Sequence, residues 1–135
     1  MKNPTFQEIT ARIADWPFPA GIDGVVGIAN GGVVPAALVA QRLGLGLKII
    51  ALNYRNAANE PQFAEPQLLS DVPGLGAWKR VLLVDDVYLS GKSWHAARAV
   101  LPKKVEVLPL VLTGNVDFAL FRDARGYADW PWQAG

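Results

Sequence analysis

The sequence predicts an α/β domain built on a parallel, twisted sheet with helices on both faces. Two observations lead to this prediction. Short apolar runs alternate along the chain with segments of helical character, and the runs are apolar throughout, as in strands that are covered on both sides. The chain has 135 residues, enough for one domain with its own core, so we expect residues 1–135 to form a single domain.

The first half of the chain has clear helix starts and stops. Thr5-x-x-Glu8 is a capping-box pattern, which marks the start of a helix. Gly44 is typical of a helix end. The elements predicted here are a helix at 5–14, a strand at 25–29, a helix at 35–43 with Pro35 in its first position, and a strand at 47–52.

The second half continues the alternation, with a long connection before it and an aromatic tail after it. The elements predicted here are a strand at 81–84, a helix at 93–101 and a strand at 105–112. Residues 53–79 contain three prolines and no sustained period, so we expect a flap or a plain surface loop. Residues 114–135 hold five aromatic residues and are predicted to be a short hood.

Composition excludes several classes of function. Thirteen basic and twelve acidic residues give a net charge of +1, which argues against a protein that mainly binds nucleic acid or a membrane surface. The chain has no cysteine and one histidine, so thiolate nucleophiles and cysteine-based zinc sites are excluded. The N-terminal residues are too polar for a signal core, and we expect a cytoplasmic protein.

A glycine-containing loop, Asn30-Gly31-Gly32, follows the first predicted strand. In open α/β sheets, ligands bind beyond the carboxyl ends of the strands. Glycines there let backbone N–H groups approach an anion at a helix start. The same residues would also suit a simple tight turn, so this loop alone leaves both interpretations open.

An acid pair, Asp85-Asp86, follows the strand at 81–84 and precedes a loop of small and polar residues. Two adjacent carboxylates repel each other unless a cation or hydroxyl groups offset their charge. Ser90, Gly91 and Ser93 then provide hydroxyls and a permissive backbone at a helix start, which suits a phosphate. The spacing does not match a P-loop, a dinucleotide-binding fingerprint or a phospho-acceptor receiver domain.

Together these segments resemble the type I phosphoribosyltransferases. The run from Val81 to Ser93 follows that family's signature, and residues 29–35 are similar to its pyrophosphate loop. Asn53-Tyr54 stands where the family opens its flap with Ser-Tyr. The ending Trp130-Pro131-Trp132 is most similar to the small xanthine-guanine branch. The resemblance implies transfer of a 5-phosphoribosyl group from phosphoribosyl pyrophosphate to a nitrogenous base, in purine salvage, by a homodimer.

The resemblance also implies roles for individual residues. Asp85 and Asp86 would hold the ribose hydroxyls and, through substrate and water, Mg²⁺. Trp130 and Thr113 would contact the base. The 5-phosphate would lie on Asp85, Asp86, Val87, Tyr88, Leu89, Ser90, Gly91, Lys92 and Ser93. The pyrophosphate would lie on Ala29, Asn30, Gly31, Gly32 and Arg55, with a cis peptide between Ala29 and Asn30.

Three positions depart from the family pattern. Asn30 replaces a basic residue of the pyrophosphate loop, and Leu89 replaces an aspartate that handles the proton of a purine base. Thr113-Gly114 stands where purine-specific members have a lysine. A second hypothesis therefore remains: a non-catalytic regulatory protein of the same fold that binds phosphoribosyl pyrophosphate or a nucleotide. His95 is expected to be a surface or packing residue.

Overall fold

A computed structural model describes residues 3–53, 67–68, 72–122 and 129–133. These residues form three helices and six strands. They are α1 (Phe6–Asp15), β1 (Gly24–Ala29), α2 (Val33–Leu43), β2 (Gly46–Asn53), β3 (Gln67–Leu68), β4 (Arg80–Tyr88), α3 (Lys92–Val100), β5 (Glu106–Gly114) and β6 (Ala119–Arg122).

The strands form one sheet in the order β3-β2-β1-β4-β5-β6. Strands β2, β1, β4, β5 and β6 run parallel, and β3 pairs antiparallel with β2 at the edge. The predicted parallel α/β sheet is confirmed. Two short strands were not predicted from the sequence: β3 lies within the predicted flap and β6 within the predicted hood.

Two apolar cores lie on opposite faces of the sheet because successive side chains of a strand alternate between faces. Helices α1 and α2 cover one core, which contains Val25, Leu82 and Leu110. Helix α3 covers the other, which contains Val26 and Leu83. The prediction of helices on both faces is therefore confirmed.

The helix ends follow local chemistry. The capping box of α1 is formed, with the Thr5 hydroxyl accepting from the Glu8 amide and the Glu8 carboxylate accepting from the Thr5 amide, both at 3.1 Å. Gly44 ends α2 in the left-handed conformation at φ 68°. Helix α2 begins two residues earlier than predicted, at Val33, so Pro35 is its third residue.

The last part of the segment predicted as a flap is packed. Leu75 is buried in the core beneath α3, and Trp78 packs against the same core. Residues 54–66 and 69–71 of that segment lie outside the described residues. None of the described helices has both the length and the apolar character needed to span a bilayer.

Candidate functional site

The predicted loops meet at one end of the sheet. Strands β1 and β4 are parallel neighbours, and the chain leaves both at the same edge. The loop after β1 contains Asn30, Gly31 and Gly32, and the loop after β4 leads to Gly91 at the start of α3. This edge lies beyond the carboxyl ends of the strands, where the sequence analysis placed a ligand.

The loop after β1 is tightly packed against β4. The peptide bond between Ala29 and Asn30 is cis, as expected from the resemblance. The Gly32 amide donates to the Ile28 carbonyl at 2.7 Å. A Cβ atom on Gly32 would lie 2.6 Å from the carbonyl oxygens of Ile28 and Val84. Only glycine therefore fits at position 32 without moving the backbone.

The acid pair lies within β4, which is a correction to the predicted strand end at Val84. Strand β4 continues to Tyr88 because Asp85, Val87 and Tyr88 pair with Val111, Thr113 and Gly114 of β5. Since side chains alternate along a strand, the two carboxylates leave the sheet on opposite faces. The electrostatic repulsion between them is thus smaller than the repulsion between two carboxylates that point the same way from one loop.

Asp86 lies on the face covered by α1 and α2, directly beside the glycine loop. A Cβ atom on Gly31 would lie 2.3 Å from Oδ2 of Asp86 and 2.5 Å from its Oδ1. The absent side chain of Gly31 is what gives this carboxylate its room. Oδ2 of Asp86 also accepts a hydrogen bond from the indole Nε1 of Trp130 at 3.0 Å.

Asp85 lies on the other face, towards α3, and is 7% exposed. Its Oδ1 accepts from the backbone amide of Asp86 at 2.8 Å. A hydrogen bond to the next amide in the chain orients the carboxylate locally. Asp85 and Asp86 are thus both held, one by the backbone and one by a distant side chain.

The loop after β4 is shaped by a tyrosine and the histidine of α3. Gly91 has φ 80°, and a Cβ atom there would lie 2.5 Å from the Tyr88 hydroxyl. That hydroxyl is 3.1 Å from Nε2 of His95. Gly91 is therefore required both by its backbone conformation and by the Tyr88–His95 pair above it.

The remaining residues of this loop face solvent or the backbone. The hydroxyl of Ser90 accepts from the Lys92 amide at 3.3 Å. Leu89 is 48% exposed. Ser93 is half-buried in the first turn of α3.

Trp130 and Thr113 are the two residues expected at the base. Trp130 is buried in the core beneath α1 and α2. Thr113 of β5 is in register with Val87 of β4 and Phe121 of β6, and both of these side chains pack against that same core. The Thr113 hydroxyl is buried, and among the described residues it has no hydrogen-bond partner. Arg55 lies outside the described residues.

Three contacts of the site were not predicted from the sequence. The Tyr88 ring meets Phe118 edge-on, with ring centroids 5.1 Å apart, and it meets His95 in the same way at 6.2 Å. The hydrogen bond between Trp130 and Asp86 joins residues 44 positions apart. The aromatic-rich tail was the available signal, but nothing in it identified these partners.

A metal ion at this edge would need ligands beyond those that the described residues provide. The part of the chain that the structure describes contains no group of three or more His, Asp or Glu side chains suited to holding a metal. The two carboxylates can still contribute one or two oxygens. This arrangement fits Mg²⁺, which keeps several waters and binds through few carboxylates together with substrate phosphates.

Comparison with known proteins identifies relatives in sequence. Residues 4–113 match the family model described as "Phosphoribosyl transferase domain". A xanthine-guanine phosphoribosyltransferase of Gluconobacter oxydans (strain 621H) is 32% identical over 84 residues, which are 61% of this chain and 49% of that protein. The chain thus spans about half the length of the curated relative it matches.

Solved structures show the same fold. A purine phosphoribosyltransferase from Pyrococcus horikoshii Ot3 has a TM-score of 0.76 and 24% identity, with 98% of this chain and 93% of that chain covered. A hypothetical protein of Neisseria gonorrhoeae with bound ppGpp has a TM-score of 0.75 and 23% identity, with 98% and 88% covered.

Proposed function

This chain belongs to the phosphoribosyl transferase domain family, and we propose that it transfers a 5-phosphoribosyl group between phosphoribosyl pyrophosphate and a nitrogenous base, releasing pyrophosphate. One observation carries the proposal. The Asp86 carboxylate occupies the space left by Gly31, so the acid pair and the predicted pyrophosphate loop form one continuous edge. A sugar that carries pyrophosphate on C1 needs this combination of hydroxyl acceptors and backbone donors.

Asp85 and Asp86 bind the ribose in this proposal. Ionised carboxylates accept hydrogen bonds from hydroxyl groups, and such charge-assisted bonds are roughly twice as strong as neutral ones. The 5-phosphate lies at the start of α3, where the backbone amides of residues 88–93 and the hydroxyls of Ser90 and Ser93 donate to it. Gly91 keeps that approach free of a side chain.

Residues 29–32 bind the pyrophosphate through their backbone. Asn30 contributes an uncharged side chain where the family resemblance leads us to expect a basic residue, so a bound Mg²⁺ would supply most of the charge that offsets the leaving group. Asp85 and Asp86 would hold the ion through substrate and water, and Arg55 is proposed to add positive charge. When bound, the ion stabilises negative charge on the departing pyrophosphate.

The chemistry requires oriented dipoles more than a nucleophile. Breaking the bond between C1 and pyrophosphate develops positive charge on the ribose and negative charge on the leaving group. The carboxylates lie on the ribose side and the amides of the glycine loop on the leaving-group side, so the protein stabilises both charges in place. A chain without cysteine suits such a reaction.

A purine-like base is proposed because both the sequence relative and the Pyrococcus horikoshii protein are phosphoribosyltransferases of that class. Thr113 remains a candidate for base contact, since its buried hydroxyl lacks a partner among the described residues. Leu89 gives the site an apolar edge and no carboxylate for the proton of the base. We also propose a homodimer that works in the cytoplasm in purine salvage.

The test is a direct assay of pyrophosphate release. Phosphoribosyl pyrophosphate, Mg²⁺ and a panel of purines and pyrimidines should give turnover with at least one base. The double variant Asp85→Asn/Asp86→Asn should lower kcat/KM about 100-fold or more, because it removes both charged acceptors. Asp23→Asn, which changes a carboxylate at the opposite end of the sheet, is the matched control and should retain activity.

The second candidate is a regulatory protein that binds the same ligand or a nucleotide without turnover. The exposed apolar Leu89, in the place of a catalytic carboxylate, favours it, as does the ppGpp held by the structurally similar Neisseria gonorrhoeae protein. Calorimetric binding of phosphoribosyl pyrophosphate or ppGpp, with no product from any base, would support this candidate and contradict the transferase.

A further inference from the structure

The indole of Trp130 reaches the acid pair from the far end of the chain. Its Nε1 donates to Oδ2 of Asp86 at 3.0 Å, within the normal range for such a bond. The donor is uncharged. Its partner is the carboxylate that, in the proposed function, contacts the ribose directly. A bond of this kind restricts where the carboxylate oxygens can point.

Trp130 is itself rigidly held. It is 3% exposed, and its ring stacks on Trp132 with centroids 5.6 Å apart and planes 10° apart. Its backbone amide donates to Oε1 of Gln133 at 2.8 Å, and its carbonyl accepts from the Gln133 amide at 3.1 Å. The turn at residues 130–133 is therefore a fixed support for the indole.

The other side of the Asp86 carboxylate faces the glycine loop. Both its oxygens lie within about 2.5 Å of the position that a Cβ atom on Gly31 would take. Among the ion pairs between described residues, none involves Asp86. The carboxylate is thus oriented by a neutral donor on one oxygen, and no cationic side chain among the described residues is paired with it.

We infer that Trp130 is a positioning residue, which orients Asp86 for the ribose hydroxyls and does not stack on the base. This inference rests on the proposed function. A lysine or arginine in the same place would orient the carboxylate but also cancel its charge, whereas an indole orients it without that cost. Burial of the Trp130 ring also leaves little of its surface for a base.

The experiment compares two conservative variants of the same turn. Trp130→Phe keeps an aromatic ring and removes the N–H donor, and Trp132→Phe is the matched control because its ring is the stacking partner. Calorimetric titration with phosphoribosyl pyrophosphate and Mg²⁺, without any base, should show an about 10-fold weaker affinity for Trp130→Phe, since bonds to charged groups are worth about 1.5–3 kcal/mol. Trp132→Phe should bind nearly as tightly as the wild type.

Steady-state kinetics supply the second readout. Trp130→Phe should raise KM for phosphoribosyl pyrophosphate and leave KM for the base unchanged. A raised KM for the base alone would assign Trp130 to base stacking and overturn the inference. Equal affinities for the two variants would overturn it as well. If the wild type itself does not bind phosphoribosyl pyrophosphate, the proposed function fails instead.

A third measurement needs no variant and guards against misfolding of Trp130→Phe. In a ¹⁵N-labelled wild type, the indole N–H resonance of Trp130 should shift when phosphoribosyl pyrophosphate and Mg²⁺ are added, because the accepting carboxylate gains a second partner. The indole resonance of Trp78, at the opposite end of the sheet, is the internal reference. A Trp130 resonance that stays in place while the ligand binds contradicts the positioning role.

Discussion

The two ends of the sheet both use glycine to make room for a neighbouring side chain, but the neighbours differ in kind. At the amino end, Gly24 and Gly46 lie side by side on β1 and β2, and the Trp78 ring covers them. At the carboxyl end, Gly31 makes room for the carboxylate of Asp86, and Gly91 for the hydroxyl of Tyr88. One end is closed by an apolar ring, and the other is lined with polar groups.

This difference between the two ends suggests that the amino end contributes to stability and the carboxyl end to ligand binding. At the amino end, Lys48 lies 5.3 Å above the Trp78 ring, and Asp23 accepts the amides of Lys79 and Arg80 at 2.8 and 3.0 Å, so these groups are engaged within the protein. At the carboxyl end, Asp86 accepts a hydrogen bond from the uncharged indole of Trp130, and Leu89 is exposed. Equivalent substitutions at the two ends should therefore affect different measurable quantities.

The largest effect is expected for Gly31→Ala. The new methyl group would stand 2.3–2.5 Å from the Asp86 carboxylate, which must move and lose its bond to Trp130. A displacement of about 1 Å in a binding group can cost about 100-fold in rate, so kcat/KM for phosphoribosyl pyrophosphate should fall by about that factor. Gly74→Ala is the control, because no atom lies within 4 Å of its added methyl group. Equal activity of the two variants would contradict the assigned role of Gly31.

The second effect is on stability and is expected for Gly24→Ala. Its methyl group would lie 2.5 Å from three atoms of the Trp78 ring, so either the ring or the strand must shift. Overpacking of this kind costs about 1–3 kcal/mol, measurable as a lower midpoint of urea unfolding. Activity per folded molecule should stay at the wild-type level. A loss of activity without a loss of stability would show that the amino end takes part in binding.

The same contrast explains what could be predicted from the sequence. Helices α1 and α2 and strands β1, β2 and β5 were predicted to within about two residues because capping boxes, glycine stops and apolar runs are local signals. The two segments proposed to bind the ligand could also be recognised, since Asn30-Gly31-Gly32 and the acid pair are each contiguous in sequence.

Features that depend on distant pairing were not predicted. Strand β4 was ended at Val84 because two acids are typical of a loop, whereas pairing with β5 carries the strand to Tyr88. Strand β6 has four residues and forms only beside β5. The contact between Trp130 and Asp86 requires the whole sheet to bring the two together. No local pattern contains that information.

The smallest expected effect is a pH dependence of the free energy of unfolding that comes from Asp23, at the amino end of the sheet. Hydrogen bonds from the backbone amides of Lys79 and Arg80 hold the pKa of Asp23 below its ordinary value of 3.8. A carboxyl group with a lowered pKa in the folded state stabilises the fold above its unfolded pKa, and this contribution is lost as the pH falls through the folded pKa. The stability difference between wild type and Asp23→Asn should thus be constant from pH 7 to about 5 and shrink below about pH 4.

Urea unfolding at a series of pH values measures this difference, with Asp15→Asn as the control for loss of an exposed carboxylate elsewhere. Because Asp23 joins the chain before β1 to the start of β4, its protonation should loosen the amino end alone. The affinity for phosphoribosyl pyrophosphate at pH 7 should be the same for Asp23→Asn and wild type. Asp23 lies at the amino end of β4, whereas the residues proposed to bind the ligand lie at its carboxyl end. A weaker affinity in Asp23→Asn at pH 7 would mean that the packed end also sets the geometry of the acid pair.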